Sequence, residues 1–439
     1  MKVLFMGVGL TDYYNQVLNK LNSEPDIEIL NIAVSSGKGH TGEGVHQTTE
    51  GIDFEVKFLK EVVFSRLSEL SYKGFEKLNE VLHESKPDII VTTETYVKYL
   101  YSDEKVSKLI RDNHIKVIMK DIPFRLKKYE EEIKEIRNGE KQKNYSTLLE
   151  KVSELLFKKI KLNHVHTLLK KISSKTGANS LFNKVYVQNV LLKKINLKKE
   201  ILNLVDAHVN YVEEAYELFG SYGVSKEKIF ITLNSPDTDL LFEIRKKIEE
   251  DPKKLTDCSQ RLIHIGRLIP WKRTDMLIRS FKKVKETYPK AELLIIGTGP
   301  EEASLKKLGH DLGLDDSVFF LGGVYKPEEI GMYLIESTAY VLAGMGGISI
   351  NDAMIFGKPV ICSVCDGTEK KLVYDGANGY YFKDGDEGDL TEKIIKLLSN
   401  TDRIKEMGQE STNIIKNKVN IHTVISGYRK AFDYVLNKI

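Results

Sequence analysis

RLIHIGRL (residues 261–268), AELLIIG (291–297), SVFFLGGV (317–324), AYVLAG (339–344) and KPVICSV (358–364) make up the stretch that decides the fold. Each is a short apolar run of strand length. Helix-like stretches such as 274–288 and 301–312 stand between them. Strands alternating with helical patterns of 10–15 residues imply βαβ units and a parallel sheet buried on both faces. Right-handed crossovers then give a doubly wound α/β domain.

Working outward, the first half repeats the theme less regularly. Candidate strands lie at 3–7, 28–34, 88–92, 116–120, 207–212 and 229–233, with helical stretches such as 14–21 and 74–83 between the first four. A chain of 439 residues exceeds the ~250–300 at which single cores stop growing. Two doubly wound domains facing across a cleft are therefore expected, 1–243 and 244–422. The linker is placed at 244–259, where Asp251-Pro252 occurs and apolar residues thin out. The last periodic helix, 423–439, has no strand after it and is expected to pack back on the first domain.

Composition removes several function classes. The chain is 41% hydrophobic and 29% charged, as globular proteins are. Three cysteines (Cys258, Cys362, Cys365) are too few for a disulfide scaffold. The start, MKVLFMGVGLTDYY, breaks at Gly7 and Gly9 and reads as a core strand rather than a secretory leader. Nowhere do about 18 apolar residues run together, so no transmembrane helix is expected and the cytoplasm is the expected location.

The net charge of +3 is a cancellation. Residues 150–199 hold twelve lysines against Glu150 and Glu154, a net +10, and the rest of the chain carries −7. Leu155, Leu156, Ile160, Leu168, Leu169 and Ile172 recur there at helical spacing, so the region 125–199 reads as a basic helical insertion. Such helices are either a solvated face or a contact for anionic lipid, at the inner face of a membrane. Nothing in them resembles a nucleic-acid module, and no nucleic-acid partner is expected.

Two motifs carry chemistry. In IHIGRLIPWKR (263–273) a strand ends at Gly266, and Arg267 and Lys272 follow before a helix starts. Ligands of open α/β sheets bind at the carboxyl ends of strands, where a forked guanidinium and a mobile ammonium suit a diphosphate. A solvated basic loop has the same appearance. In LAGMGGISINDAMIFGKPVI (342–361) a strand runs into Gly344, Gly346 and Gly347, and a helix begins near Ile348. Free backbone N–H groups there suit a phosphate. Asp352, one turn on, suits ribose hydroxyls or simply complements the helix dipole.

In their order, these motifs resemble those of the retaining glycosyltransferases of the GT-B fold, specifically glycosyltransferase family 4. The resemblance runs through NSPDTDLL (234–241), GRLIPWK (266–272), LLIIGTGP (293–300), VFFLGGV (318–324), DAMIFGKPVI (352–361) and YDGANGYYF (374–382). It implies that Arg267 and Lys272 grip a donor diphosphate and serve catalysis. It further implies that Gly266, Gly346, Gly347 and Ile348 line the donor site, that Asp352 holds the ribose, and that the backbone at Val324 and Tyr325 faces the base. The family's first acidic residue falls on Gly344 and its second is shortened to Asp352, which leaves the donor sugar open. The implied substrate is a UDP- or GDP-linked sugar, with no cofactor and no metal, and the implied acceptor is a glycan or a lipid-linked glycan. A non-catalytic subunit of the same fold, or a nucleotide-sugar epimerase, are the alternatives.

The first domain is expected to hold the acceptor. Gly7 and Gly9 in MGVGLTD (6–12) form a strand-to-helix loop, and Asp121 in KDIPFR (120–125) sits at a strand end. SSGKGHTGEG (35–44) lacks the spacing of a P-loop and reads as a mobile acceptor-side loop, with His40 solvated. Asp237-Thr238-Asp239 and Asp384-Gly385-Asp386 read as turn and loop rather than metal motifs. Cys362-Ser-Val-Cys365 starts inside a strand, so core packing is expected. His164 and His166 point about 200° apart on a helix and do not share a metal.

Overall fold

Val3, Leu4, Phe5 and Met6 are all fully buried in strand β1 (Lys2–Met6), because the sheet around them is parallel and covered on both faces. The computed structural model describes residues 1–35, 47–64, 72–120, 127–138, 178–250, 258–365 and 367–437. The other strands of the first half are β2 (Glu28–Val34), β3 (Glu55–Leu59), β4 (Glu61–Phe64), β5 (Tyr72–Phe75), β6 (Ile89–Thr92), β7 (Lys116–Lys120), β8 (Ala207–Asn210) and β9 (Ile229–Ile231). Seven form a parallel sheet in the order β3-β2-β1-β6-β7-β8-β9, and β4 and β5 pair as an antiparallel hairpin. Apolar clusters centred on Leu4 and Leu30 on one face, and on Val3 and Phe5 on the other, make this domain's core.

The five apolar runs that decide the fold become β10 (Arg261–Ile265), β11 (Glu292–Ile296), β12 (Val318–Gly322), β13 (Ala339–Leu342) and β14 (Val360–Cys362), with β15 (Gly379–Tyr381) at the edge. Their order is β12-β11-β10-β13-β14-β15, all parallel. Side chains alternate between the two faces, so Leu262 and Ile263 enter opposite cores. The chain is thus two doubly wound α/β domains.

The chain leaves the first sheet after Ile231 and crosses over residues 232–237, earlier than the stretch expected to link the domains. Helix Thr238–Glu250 buries Leu241 and Ile244 against the second domain, so apolar burial extends that domain toward the N-terminus. The last helix, Ile421–Val435, returns to the first sheet. Its Tyr428 and Phe432 join the cluster of Phe5 and Tyr14, and the Tyr14 and Tyr428 hydroxyls stand 3.1 Å apart. A side chain on Gly427 would place its Cβ 2.6 Å from Thr232 Cα, so the two crossings touch.

Of the region 125–199, helix Tyr129–Asn138 and the first part of helix Ala178–Leu204 fall within the described residues. Leu191, Ile195, Ile201 and Leu202 of the second of these helices are buried against the first sheet. No helix among the described residues is long and apolar enough to cross a membrane.

Candidate functional site

In the second sheet, strand order reverses between β10 and β13. The crevice beyond their carboxyl ends is where doubly wound sheets bind ligands. Its two walls are Gly266–Lys272, after β10, and Ala343–Ser349, after β13, which are the two stretches that carry the sequence motifs.

The walls are joined more tightly than the sequence implies. Lys272, only 7% exposed in the short 3₁₀ turn Pro270–Lys272, donates from Nζ to the carbonyl oxygens of Met345 at 2.8 Å and Gly346 at 2.7 Å. The expected mobile ammonium is therefore anchored in the opposite wall. Met345 N–H donates to the Trp271 carbonyl at 2.9 Å. A Cβ on Gly344 would lie 2.3 Å from Trp271 O and 2.7 Å from Lys272 C. The glycine at the family's first acidic position is thus demanded by backbone packing. Behind this seam, the loop 297–299 is equally close, since a Cβ on Gly299 would meet Leu268 O at 2.2 Å.

Arg267 follows Gly266 directly and is half-buried, which lowers its guanidinium from the ordinary value without removing its charge. Ile348 and Ser349 open the helix Ser349–Ile355. The Ser349 hydroxyl meets the buried Tyr340 hydroxyl at 2.7 Å, which ties the start of the helix to β13. Asp352 is the fourth residue of this helix. Burial pushes its carboxyl up to about 7, with no cation to offset the cost. Its neighbour Asn351 donates to the carbonyl of Asn234 in the crossing segment at 3.1 Å.

Beneath the crevice lies His264, fully buried on β10. Its Nδ1 is 3.0 Å from the Val341 carbonyl, and desolvation holds its pKa down at about 4, so the ring is neutral. Val324 and Tyr325 follow β12, two strands from β10. Val324 packs on the core, and Tyr325 is exposed with its ring over Gly323, where a Cβ would stand 2.8 Å from Oη.

In the first sheet the order reverses between β1 and β6. Gly7 and Gly9 lie in the loop after β1, both with positive φ. A Cβ on Gly7 would sit 2.1 Å from Tyr96 Cε2, so Gly7 makes room for a buried ring. Across that crevice, at the start of helix Glu94–Ser102, burial raises the carboxyl of Glu94, partly offset by Lys198 and Lys194. Sequence reading missed Glu94; its signal was the acidic residue two positions beyond an apolar strand. Asp121, His40, His164 and His166, with most of 35–44, lie outside the described residues.

The carboxyl-end loops of the two sheets face each other. Lys370 and Lys371, beyond β14, pair at 2.8 Å with Glu214 and Glu213, beyond β8. Buried Glu369 shapes the loop that carries these lysines, accepting from the N–H groups of Cys365 at 3.0 Å and Gly367 at 3.1 Å. Asp237 caps the helix Thr238–Glu250, accepting from Asp239 and Leu240 N–H, and Asp239 pairs with Lys20 and His422. Asp386 caps helix Glu387–Leu398, and Asp384 pairs with Arg273. Both Asp-x-Asp stretches are thus occupied structurally. Among the described residues, no cluster of three or more His, Cys, Asp or Glu is placed to hold a metal. Cys362 is buried in β14, while Cys365 Sγ lies 3.4 Å from the Gly344 carbonyl oxygen at the crevice.

Comparisons with known proteins agree with this fold. Residues 245–414 match the family described as glycosyl transferases group 1. An uncharacterized glycosyltransferase of Methanocaldococcus jannaschii is 27% identical over 295 residues, covering 65% of this chain and 71% of its own. The poly(ribitol-phosphate) alpha-N-acetylglucosaminyltransferase of Staphylococcus aureus is 25% identical over 227 residues, 51% of this chain but only 45% of its own. HepE of Anabaena, solved with UDP and glucose, superposes over 100% of both chains with a TM-score of 0.62 at 16% identity, a likeness of fold. Residues 245–414 thus match the glycosyl transferases group 1 family, within a chain that has the two-domain fold of the GT-B glycosyltransferases.

Proposed function

We propose that this chain is a retaining glycosyltransferase that moves a sugar from a nucleoside-diphosphate sugar, UDP- or GDP-linked, to a hydroxyl of a glycan or lipid-linked acceptor. The observation that carries the reading is the crevice at the β10/β13 reversal, where the loop after β10 that holds Arg267 and Lys272 is hydrogen-bonded to the loop leading into the Asp352 helix, all within the family-matched residues. Both the S. aureus enzyme and HepE, by their names and ligands, handle sugars or UDP, which supports the substrate class.

In this reading the diphosphate lies against Arg267 and the Gly346–Gly347 amides, with Ile348 beside it. Asp352 accepts from ribose hydroxyls, and the backbone at Val324 and Tyr325 meets the base. The bond between anomeric carbon and phosphate oxygen breaks, its electrons leave with the phosphate, and the acceptor oxygen bonds the same face of the carbon. The acceptor proton passes to the departing phosphate. Positive charge already in place where negative charge develops lowers the barrier. Arg267 supplies it directly and Lys272 from behind the loop, so no metal takes part and no cofactor is needed. The Gly7–Gly9 loop, and Asp121 by its place at a strand end, belong to the acceptor side. The lysine-rich segment 150–199 supports an acceptor at the inner face of an anionic membrane, with the enzyme in the cytoplasm. That last element fails if the protein does not sediment with anionic liposomes at low salt.

Release of UDP or GDP from a panel of nucleotide sugars, with acceptor present, tests the activity. Arg267→Ala is expected to slow transfer about 10²–10³-fold, as loss of one oxyanion-type contact does. An unchanged rate in that variant would refute the phosphate assignment.

A further inference from the structure

Lys272 does not present its ammonium as an open anion site: Nζ is held by two successive carbonyls, those of Met345 and Gly346. Peptide units are planar and trans, so each C=O points opposite to the N–H of the same unit. Turning both carbonyls onto one buried ammonium turns the N–H groups of Gly346 and Gly347 the other way. Lys272 is buried while Gly346 and Gly347 are partly exposed, so the other way is toward the crevice. Neither N–H has an acceptor among the described residues. Two successive free amides pointing the same way make a concave anion-binding nest.

Gly344 belongs to the same device. With no Cβ, it lets Met345 N–H reach Trp271 O and brings the loop within reach of Nζ. Gly347 is close as well, since its Cβ would lie 3.2 Å from Nζ. The helix that follows, Ser349–Ile355, has seven residues and is too short to orient the loop by itself.

We propose that Lys272 is a positioning residue: it holds the 345–347 loop with the Gly346 and Gly347 amides aimed at the donor diphosphate, and Gly344 stands in for the family's acidic residue to allow this. The proposal rests on the donor-site reading above and adds how the site is held in shape.

The test uses the full chain with UDP and GDP as probes and uridine as the phosphate-free control. In the ligand-free protein, the amide of Met345 reports on the seam. Lys272→Met is expected to speed its hydrogen exchange about 10-fold or more, and Arg273→Gln, which removes a charge from the same turn, to leave it unchanged. Affinity for the nucleoside diphosphate is expected to fall about 10–100-fold in Lys272→Met and in Gly344→Ala alike, the range of one or two lost charge-assisted hydrogen bonds. Uridine binding is expected to hold. Should Lys272→Met not fold, Gly344→Ala carries the test, since it changes no charge and adds its methyl on the side away from the phosphate. Unchanged Met345 exchange in Lys272→Met, or wild-type affinity in Gly344→Ala, overturns the proposal. If the wild-type chain binds neither UDP nor GDP, the donor-site reading fails, and Met345 exchange still decides whether Lys272 holds the loop.

Discussion

Restoring the family's acidic residue, Gly344→Glu, should damage this protein rather than improve it. The new Cβ would start 2.3 Å from Trp271 O and 2.7 Å from Lys272 C, against about 3.4 Å for an ordinary contact. The turn and the loop must therefore part by roughly 1 Å. That movement stretches the Met345 N–H bond to Trp271 and both Lys272 bonds beyond hydrogen-bonding range. A charge-assisted hydrogen bond contributes about 1.5–3 kcal/mol and overpacking costs about 1–3 kcal/mol. The terms share one seam and do not add, so about 3 kcal/mol is the expected loss. For a domain of this size that lowers Tm by about 6–12 °C. Thermal unfolding and nucleotide release, measured side by side, check it. A variant that melts within about 2 °C of wild type and transfers sugar as fast or faster would refute the reasoning.

The two cross-domain ion pairs set a further expectation. Each is half-exposed and worth only about 0.2–1 kcal/mol, so reversing Lys370 and Lys371 to Glu together should shift the balance toward an open cleft several-fold. Small-angle scattering should show a larger radius of gyration, and adding Glu213→Lys and Glu214→Lys should restore it. Asp352 gives a pH dependence. Its folded pKa of about 7 exceeds the unfolded value near 3.9, so the folded state holds the proton more tightly. Its contribution to stability is full below about pH 4 and is lost as pH rises to about 7. Asp352→Asn should remove that slope from the stability profile. His264 and His208, both held at about 4 by burial, work in the opposite sense. They favour the fold above the unfolded histidine pKa of about 6.5, and this is lost as pH falls to about 4. Chemical denaturation from pH 4 to 8 on wild type and on Asp352→Asn separates the two.

What could be read from the sequence follows from where each residue's constraint originates. The inner strands of the second sheet, β10, β11, β13 and β14, are buried on both faces, so each lies in a largely apolar run that local composition reveals. β3 escaped notice because it is an edge strand: EVKFL exposes Glu55 and Phe58 and carries Lys57, which reads as neither strand nor helix. The crevice walls were legible because glycines and cations cluster after strands. The reason for Gly344 was not, because it lies in the backbone of Trp271 and Lys272, more than seventy residues earlier and one strand away. Gly7 is a second case: its lack of a side chain is required by Tyr96, a ring from another element that its own sequence neighbourhood does not reveal.

The two domains are linked at two levels of rigidity. At the crossing, Leu233 adopts a φ of +57°, a conformation that costs a non-glycine residue about 1 kcal/mol or more. The neighbouring carbonyl of Asn234 is held by Asn351, and Gly427 of the returning helix is pressed against Thr232. Buried contacts of this kind have few alternative packings. At the mouth of the cleft, the links are surface ion pairs that water and salt weaken. A rotation between the domains would therefore meet more resistance at the crossing than at the mouth. Asn351 holds the crossing from the same short helix that carries Asp352, so in the proposed reading a ribose at Asp352 would lie one residue from the contact that joins the domains. Under that reading, donor binding and the contact that joins the domains share one seven-residue helix.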